Sequence, residues 1–550
     1  MKSLVCFLLS VLLLASQQQP PAPPETKPED LCTVEGQVQS SATGAPIRKA
    51  EITLRGSERP AGAMAMPTTY TAAADVGGKF VIKDVEPGKY RLSIHRTGFV
   101  DAQYGARGPG RGGAVISLQK AQKLKDLLVQ LIPQAVIAGR VVDEKNEPAV
   151  SVEVSAKRYI YSNGKKQLSP TGSSMTNDLG EYRIYGLAPG RYYLVGANVS
   201  YEYEASVDRS AMPLIENYVP TYYPGTADPA AAVPVEVGAG DQLRGANLTL
   251  ARARTFRVRG HVAGRPNVNL SFFLRGQSRW IARTINRMTD KQGNFEINDV
   301  QPGAYTLLAT AWNDQKTYSA RRDIDVSEEN VDNVLLTLEP GIEIQGAVAA
   351  EGQTTPDLNA VFVVLRDDGG EFSAGGQVHD GAFTIDNVAL GSYKLRVIRL
   401  PDGYWLKSVK MGEQEVKESG IDLTRGPAGP IAVIIAPNAG QVGGTVLTEK
   451  QQPAAGATVV LVPEPSLRDR EEAYQTTATD QYGSFTLKNI APGEYKLFAW
   501  EDVEYGEYMD PEFLKPVEDR GQSVGIQEGS RETMQLNLIP ADSAAKTRSK

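Results

Sequence analysis

One eighteen-residue pattern, seen most clearly from Asp480 to Leu497 as Asp-Gln-Tyr-Gly-Ser-Phe-Thr-Leu-Lys-Asn-Ile-Ala-Pro-Gly-Glu-Tyr-Lys-Leu, recurs five times along 550 residues. The other copies run from Asp75 to Leu92, Asn177 to Leu194, Asp290 to Leu307 and, in altered form, Val378 to Leu395. A chain that repeats itself roughly every 100 residues folds as an array of similar units, because that length suits a domain with its own core.

The pattern reads as β-structure. In the Asp-x-x-Gly turn the acid side chain bonds the backbone ahead and the glycine supplies a positive φ. Phe485 and Leu487 then alternate with Ser484, Thr486 and Lys488, the period of a strand with one buried face. Ile490 is expected to plug the end of the core. Pro492-Gly493 fits the centre of a type II turn, with the glycine left-handed, and Tyr495 and Leu497 open the return strand. In the fourth copy Val378 stands at the turn-acid position and Leu390 replaces the proline. A ligand site built on the turn acid is therefore not common to all five.

Each unit opens with a second signature: Val34-Glu-Gly36-Gln-Val38, Ile137-Ala-Gly139-Arg-Val141, Val258-Arg-Gly260-His-Val262, Ile344-Gln-Gly346-Ala-Val348 and Val442-Gly-Gly444-Thr-Val446. The glycine marks a bulge or the close approach of another backbone. Polar turns with proline and further β-rich strands follow, about seven strands per unit, as in a sandwich. Closing strands such as Ala246 to Leu250 run within a few residues into the next opening, so a stiff end-to-end rod is expected. Irregularity is confined to Tyr104–Gly113, the Tyr201–Gly240 excursion and Glu501–Gly521, and loops of this kind usually carry function.

The resulting division is 1–16, signal peptide; 17–31, Pro/Gln-rich linker; sandwiches at 32–133, 134–252, 253–339, 340–437 and 438–540; and a disordered tail, 541–550. Lys2 and the apolar run Leu4 to Ala15 make the secretory signal, with cleavage expected near Ala15 to Gln17 and retention as a tether left open. No other run approaches the 18 or so apolar residues of a membrane span. Cys32 is the single mature cysteine, either a small residue at the start of a strand or a thiol that is free or paired with a second chain. With 58 Lys plus Arg against 65 Asp plus Glu, net −7, nothing favours nucleic acid.

The glycine-bearing opening strand, the Asp-x-x-Gly turn before an aromatic strand and the Pro-Gly-x-Tyr return together resemble the carboxypeptidase regulatory-like domain. The resemblance implies an all-β, transthyretin-like (prealbumin-like) sandwich, related to the starch-binding-like and collagen-adhesin sandwiches. It implies accessory, surface or spacer roles and fixes no activity. The insertions Tyr218–Thr226 and Tyr508–Leu514 look like those of large exported bacterial proteins of this type, notably acidobacterial ones.

Catalytic chemistry is not indicated. A zinc carboxypeptidase needs a His-x-x-Glu pair and a distant His. Here His95, His261 and His379 are followed by Arg-Thr-Gly, Val-Ala-Gly and Asp-Gly-Ala. Gly521-Gln-Ser523-Val-Gly525 has the letters of a nucleophile elbow without a following His. Gly108-Pro-Gly110-Arg-Gly-Gly113 spells a dinucleotide fingerprint without its strand and helix. One carboxylate per turn at Asp75, Asp290 and Asp480 falls short of the six to eight or so oxygens of a calcium site. No cofactor or metal is expected. Strand parity sets Trp312 and Trp500 opposite the Tyr-bearing faces of their strands. These two, with Tyr218, Tyr222 and Tyr223, are candidate sugar-stacking residues, unless neighbouring loops fold over them as satellite clusters. The chain is expected to be a non-catalytic exported scaffold or spacer, with surface or periplasmic proteins or polysaccharide as partners. The alternative is a carbohydrate-binding protein using the aromatics.

Overall fold

A computed structural model describes residues 27–57, 67–162, 164–198, 216–264, 268–275, 285–313, 316–353, 355–367 and 373–541. The expected signal, all but the end of the linker, part of the second unit's excursion and nearly all of the tail lie outside the described residues. Five two-sheet β-sandwiches follow one another, each with a separate apolar core.

The opening strand is central in every sandwich. In the first, Cys32–Ser40 pairs antiparallel with Lys79–Val85 and parallel with the closing strand, Lys123–Leu131. The same arrangement joins Phe256–Ala263 to Asn294–Val300 and Val331–Thr337, and Gly440–Leu447 to Ser484–Ile490 and Arg531–Asn537. First and last strands run parallel, so the chain enters a sandwich at one end and leaves at the other. The second sheet is built on a strand such as Thr458–Pro463, flanked by Gln475–Ala478 and the return strand Gly493–Trp500. Alternation decides the faces: Val459, Leu461, Leu497 and Ala499 point to the core along with Phe485 and Leu487.

The opening glycine is explained by what surrounds it. A Cβ at Gly260 would overlap the backbone oxygen of Val334 on the closing strand and the ring of Phe295 on the antiparallel neighbour. Gly36, Gly139, Gly346 and Gly444 each face the corresponding closing-strand carbonyl, and all but Gly444 also face the aromatic ring. The closing strand approaches this closely only because the opening strand has no side chain there.

The proline-glycine return differs from a type II turn. Its left-handed residue lies earlier, at Asp84, Gly186, Asp299, Asn387 and Asn489, where the aromatic strand bulges before Val85, Leu187, Val300, Val388 and Ile490. Two residues beyond the following glycine stands a tyrosine whose hydroxyl donates to the carbonyl four residues before it. Tyr90 reaches Glu86 at 2.8 Å, Tyr192 Ala188 at 2.6 Å, Tyr305 Gln301 at 2.9 Å, Tyr393 Ala389 at 2.7 Å and Tyr495 Ala491 at 3.0 Å. Burial pushes the Tyr90, Tyr182 and Tyr393 hydroxyls up, so they stay protonated donors.

The fourth unit is shorter by one residue at its turn rather than degenerate. Val378 is fully buried and bonds Val361 O, as Thr479 bonds Ala457 O in the fifth unit. His379 and Ala382 exchange both backbone bonds around Asp380-Gly381, at φ 49° and 80°. That is a two-residue type I′ hairpin, which Asp-Gly favours. In the four longer turns the acid or amide accepts as expected: Asp480 Oδ1 from Tyr482 N and Ser484 N, both at 2.9 Å.

The array is not an end-to-end rod. Val115 of the first sandwich forms a parallel bridge with Asp480 of the fifth, and Gln481 exchanges two bonds with the Ser117 backbone, at 3.0 and 2.8 Å. First and last sandwiches touch, so the chain folds back on itself.

Replacing Gly260 by Ala is expected to destabilise the third sandwich by about 1–3 kcal/mol through overpacking against backbone that cannot retreat. Hydrogen exchange of the Phe256–Ala263 and Val331–Thr337 amides checks this, with faster exchange there and little change in the first sandwich.

Candidate functional site: the junction of the insertions

Gly493–Trp500 carries Phe498 and Trp500 on its outer face, where they stack with centroids 4.9 Å apart. The segment Glu501–Gly521 folds back over that face. A short helix, Pro511–Leu514, starts at Asp510, whose carboxylate accepts from Glu512 N, and a 3-10 turn, Lys515–Arg520, continues it. Tyr508 and Phe513 close on the Trp500 ring at 6.5 and 6.2 Å, with Tyr474, Val503 and Val517 in the same cluster. The fifth sandwich therefore has a third layer and a second core. Trp500 is 0 % exposed and its ring cannot meet a ligand. Burial raises the Tyr474 hydroxyl to about 12, and it donates to Arg468 O at 3.0 Å.

The far end of this cap is held by charge. Glu518 accepts two bonds from Arg468, at 3.1 and 2.9 Å, and lies 2.9 Å from Lys496 Nζ. The Arg468 bonds, helped by Lys496, hold its carboxyl below the usual glutamate value.

The near end of the cap meets the other insertions. From the Tyr104–Gly113 loop of the first sandwich, Arg111 reaches Asp502 at 2.5 Å and Glu504 at 3.1 Å. Arg158, on the long hairpin of the second sandwich, reaches the same Glu504 oxygen at 2.8 Å. Arg107 lies 3.5 Å from Glu501. Close backbone approach accompanies the charges: a Cβ on Gly164 would meet Met509 O, and one on Gly456 would overlap Gly105 O. The fourth sandwich joins through Glu471, which takes Arg366 at 3.7 Å, Arg396 at 3.5 Å and the Tyr505 hydroxyl at 2.9 Å. Arg111 keeps only 14 % of its side-chain surface, and the planar fork suits two carboxylates at once.

The remaining aromatic candidates are scattered. Tyr218 is half-buried, bonded to Glu144 at 2.5 Å under the Arg252 guanidinium, 4.7 Å from the ring centre. Tyr223 packs on the second core, and Tyr222 pairs with Val195. Trp312 alone of the five stands clear, 68 % exposed, on the Gly303–Asn313 strand of the third sandwich. The structure does not bring these five together. The convergence that does exist, Arg111 with Asp502 and Glu504, joins residues 391 positions apart and carries no local sequence pattern. Its one signal was that Arg-rich and acidic loops interrupt otherwise regular repeats.

The three histidines sit in three different sandwiches, His95 bonded to Asp101 at 2.6 Å and His261 to Asn294 at 3.1 Å. Among the described residues no three His, Cys, Asp or Glu gather as a metal site. No helix among them is long and apolar enough to cross a membrane.

Residues 33–122 match the carboxypeptidase regulatory-like domain family, and residues 440–504 match the second β-sandwich domain of BOS complex subunit NOMO1-like proteins. No curated protein matches the sequence. Among solved structures, the Bacillus anthracis TIE protein is similar at 12 % identity over 75 % of this chain and 76 % of its own, with a TM-score of 0.14. GBS52, the minor pilin of Streptococcus agalactiae, is 12 % identical over 40 % of this chain and 96 % of its own, TM-score 0.22. BcpA, the major pilin subunit of Bacillus cereus, is 9 % identical over 56 % and 99 %, TM-score 0.15. Likeness at this level carries no functional information.

Trp500→Ala is expected to cost about 3–5 kcal/mol in the fifth sandwich, as for a large core aromatic removed without collapse, read as a lower denaturant midpoint for that unit. Acid should loosen the cap before the sandwiches. Because the folded Glu518 pKa is depressed, its contribution is complete above the ordinary glutamate value of about 4.3 and disappears as pH falls through the folded value. A red shift of tryptophan emission below about pH 4.3, absent in Trp500→Phe, checks it.

Proposed function

We propose that this chain, whose residues 33–122 are a carboxypeptidase regulatory-like domain, is a non-catalytic exported scaffold whose five sandwiches are held in a closed arrangement. The observation that carries this is the use made of the insertions. Loops that in a ligand-binding protein would present side chains to solvent are spent here on contacts between sandwiches, through Arg111, Asp502, Glu504 and Arg158. The separation of the three histidines into different units supports the same reading. The scaffold acts at the cell surface or in the periplasm, reached through the N-terminal signal, and offers its outer sheet faces to other surface proteins or to polysaccharide.

The carbohydrate-binding alternative rests on Trp312, whose ring is open to solvent beside the Thr317 position of the neighbouring strand. Tyr218, Tyr222, Tyr223 and Trp500 give it no support in this arrangement.

Arg111→Glu would set like charges against Asp502 and Glu504 and is expected to open the array. Small-angle scattering should show the wild-type chain nearer the compact limit for its length, roughly 24 Å in radius of gyration, and the variant clearly larger. An elongated wild-type particle, or no difference between the two, would remove the closed scaffold.

A further inference from the structure

The outer face of the sheet built on the opening strand of the second sandwich carries a groove of about 470 Å³. Its floor is Ala138 and Gly139 of the opening strand Ala135–Val142. Arg183 stands on one side, in register opposite Ala138 on the strand Glu181–Leu187. On the other side is Arg244, one residue beyond the Leu243 to Ile137 pairing. Two guanidinium groups thus flank a small residue across the sheet. A third, Arg140, lies one residue along, its Nε held by Leu179 O at 2.8 Å.

Glu181 is the carboxylate on the rim. It sits opposite Arg140 and accepts from Asn177 Nδ2 at 3.1 Å. Arg183 and Arg244 have no carboxylate partner among the described residues, so the groove keeps two uncompensated positive charges on a chain of net charge −7. Beside Arg183, with its guanidinium 6.0 Å from the ring centre, Tyr185 is 70 % exposed.

The other four sandwiches serve as internal controls, because the same backbone positions are filled differently. Where the second has Arg183 opposite Ala138, the others have Val81 opposite Glu35, Glu296 opposite Arg259, Thr384 opposite Gln345 and Thr486 opposite Gly443. In the third the arginine is neutralised by its neighbour at 2.7 Å. Tyr185 likewise corresponds to Lys83, Asn298, Asp386 and Lys488. The fold therefore requires neither the arginine at 183 nor the bare tyrosine at 185 on this face, since no other unit has either.

Guanidinium forks recognise carboxylates, and two of them across a groove suit a ligand with carboxylates at intervals. An exposed phenol ring beside them offers a flat surface for the apolar side of a sugar ring. A peptide held on a sheet would be selected by side-chain pockets, and a floor of Ala138 and Gly139 provides none. We propose that this groove binds an acidic polysaccharide, a chain of uronic acid residues, with Arg183 and Arg244 taking carboxylates and Tyr185 stacking on a ring. The site is separate from the junction of the insertions and does not depend on whether the array is closed.

Isothermal titration of the full chain with sodium polygalacturonate at low salt tests it, with neutral dextran and poly-L-glutamate as comparators. Binding to polygalacturonate is expected, weakened at least about tenfold in the double variant Arg183→Gln/Arg244→Gln, and none to dextran. Tyr185→Ala should weaken polygalacturonate binding and leave any polyglutamate binding unchanged. All three positions are exposed, so unaltered circular dichroism and melting should confirm folding. No heat with polygalacturonate, or undiminished binding by the double variant, overturns the site. Polyglutamate bound as tightly as polygalacturonate overturns the assignment to sugar.

Discussion

Each sandwich depends on a contact at one point, the glycine of the opening strand against a carbonyl of the closing strand, joined in four of the five by an aromatic ring on the antiparallel neighbour. Around Gly36, Phe80 and the Leu127 carbonyl, the closeness leaves no room for a methyl group. Because the closing strand lies parallel against the opening one, it cannot join by a hairpin. The whole of the second sheet must be traversed between them. That requirement makes each unit a closed circuit of about 100 residues with its entry and exit at opposite ends, and an array follows from joining such units.

What joins them is a by-product of the same geometry. The bulge after the aromatic strand needs a left-handed residue, for which Asp, Asn and Gly are suited. In three units its side chain reaches the preceding sandwich. Asp299 takes a bond from Asn217 at 2.5 Å, Asn387 from Thr317 N at 3.0 Å, and Asn489 from Gly403 N at 2.9 Å. One residue type satisfies a backbone demand inside a unit and fixes the angle to the next. The larger clasp of Arg111, Asp502 and Glu504 then sets the first unit against the last. Its charges are held with little solvent, where a fork bonding two carboxylates is worth more than an exposed pair.

The β-sandwich, the repeat and the glycine were legible because they rest on short-range rules: alternation, turn chemistry and absence of a side chain. Ile490 does plug the core, at 1 % exposure, and the turn acids do bond the backbone ahead. The errors also have physical causes. Pro492-Gly493 carries turn letters, yet the turn's left-handed residue is Asn489, four positions earlier, while Gly493 is extended at φ 159°. Val378 lines up with the turn acids when residues are counted, but hydrogen bonding aligns it with Thr479, since one residue has been lost from the hairpin. Strand parity alone sets Trp500 on the outer face, while the covering of that face by Tyr508 and Phe513 depends on a fold-back that no periodicity encodes. The meeting of first and last sandwiches depends on partners hundreds of residues apart, each with an ordinary local sequence.

Parallel pairing of the terminal strands also determines how such a chain would respond to tension. A pull on the two ends of one sandwich slides the opening and closing strands past each other, as in the seven residue pairs from Gln441–Arg531 to Leu447–Asn537, so the ladder bonds share the load at once. Strands peeled apart from one end would instead break those bonds singly. Applied to the whole array, the first extension would come from parting the Arg111 clasp and unfurling the units, with each sandwich still intact. An array made this way would yield in stages, soft and reversible first, stiff afterwards.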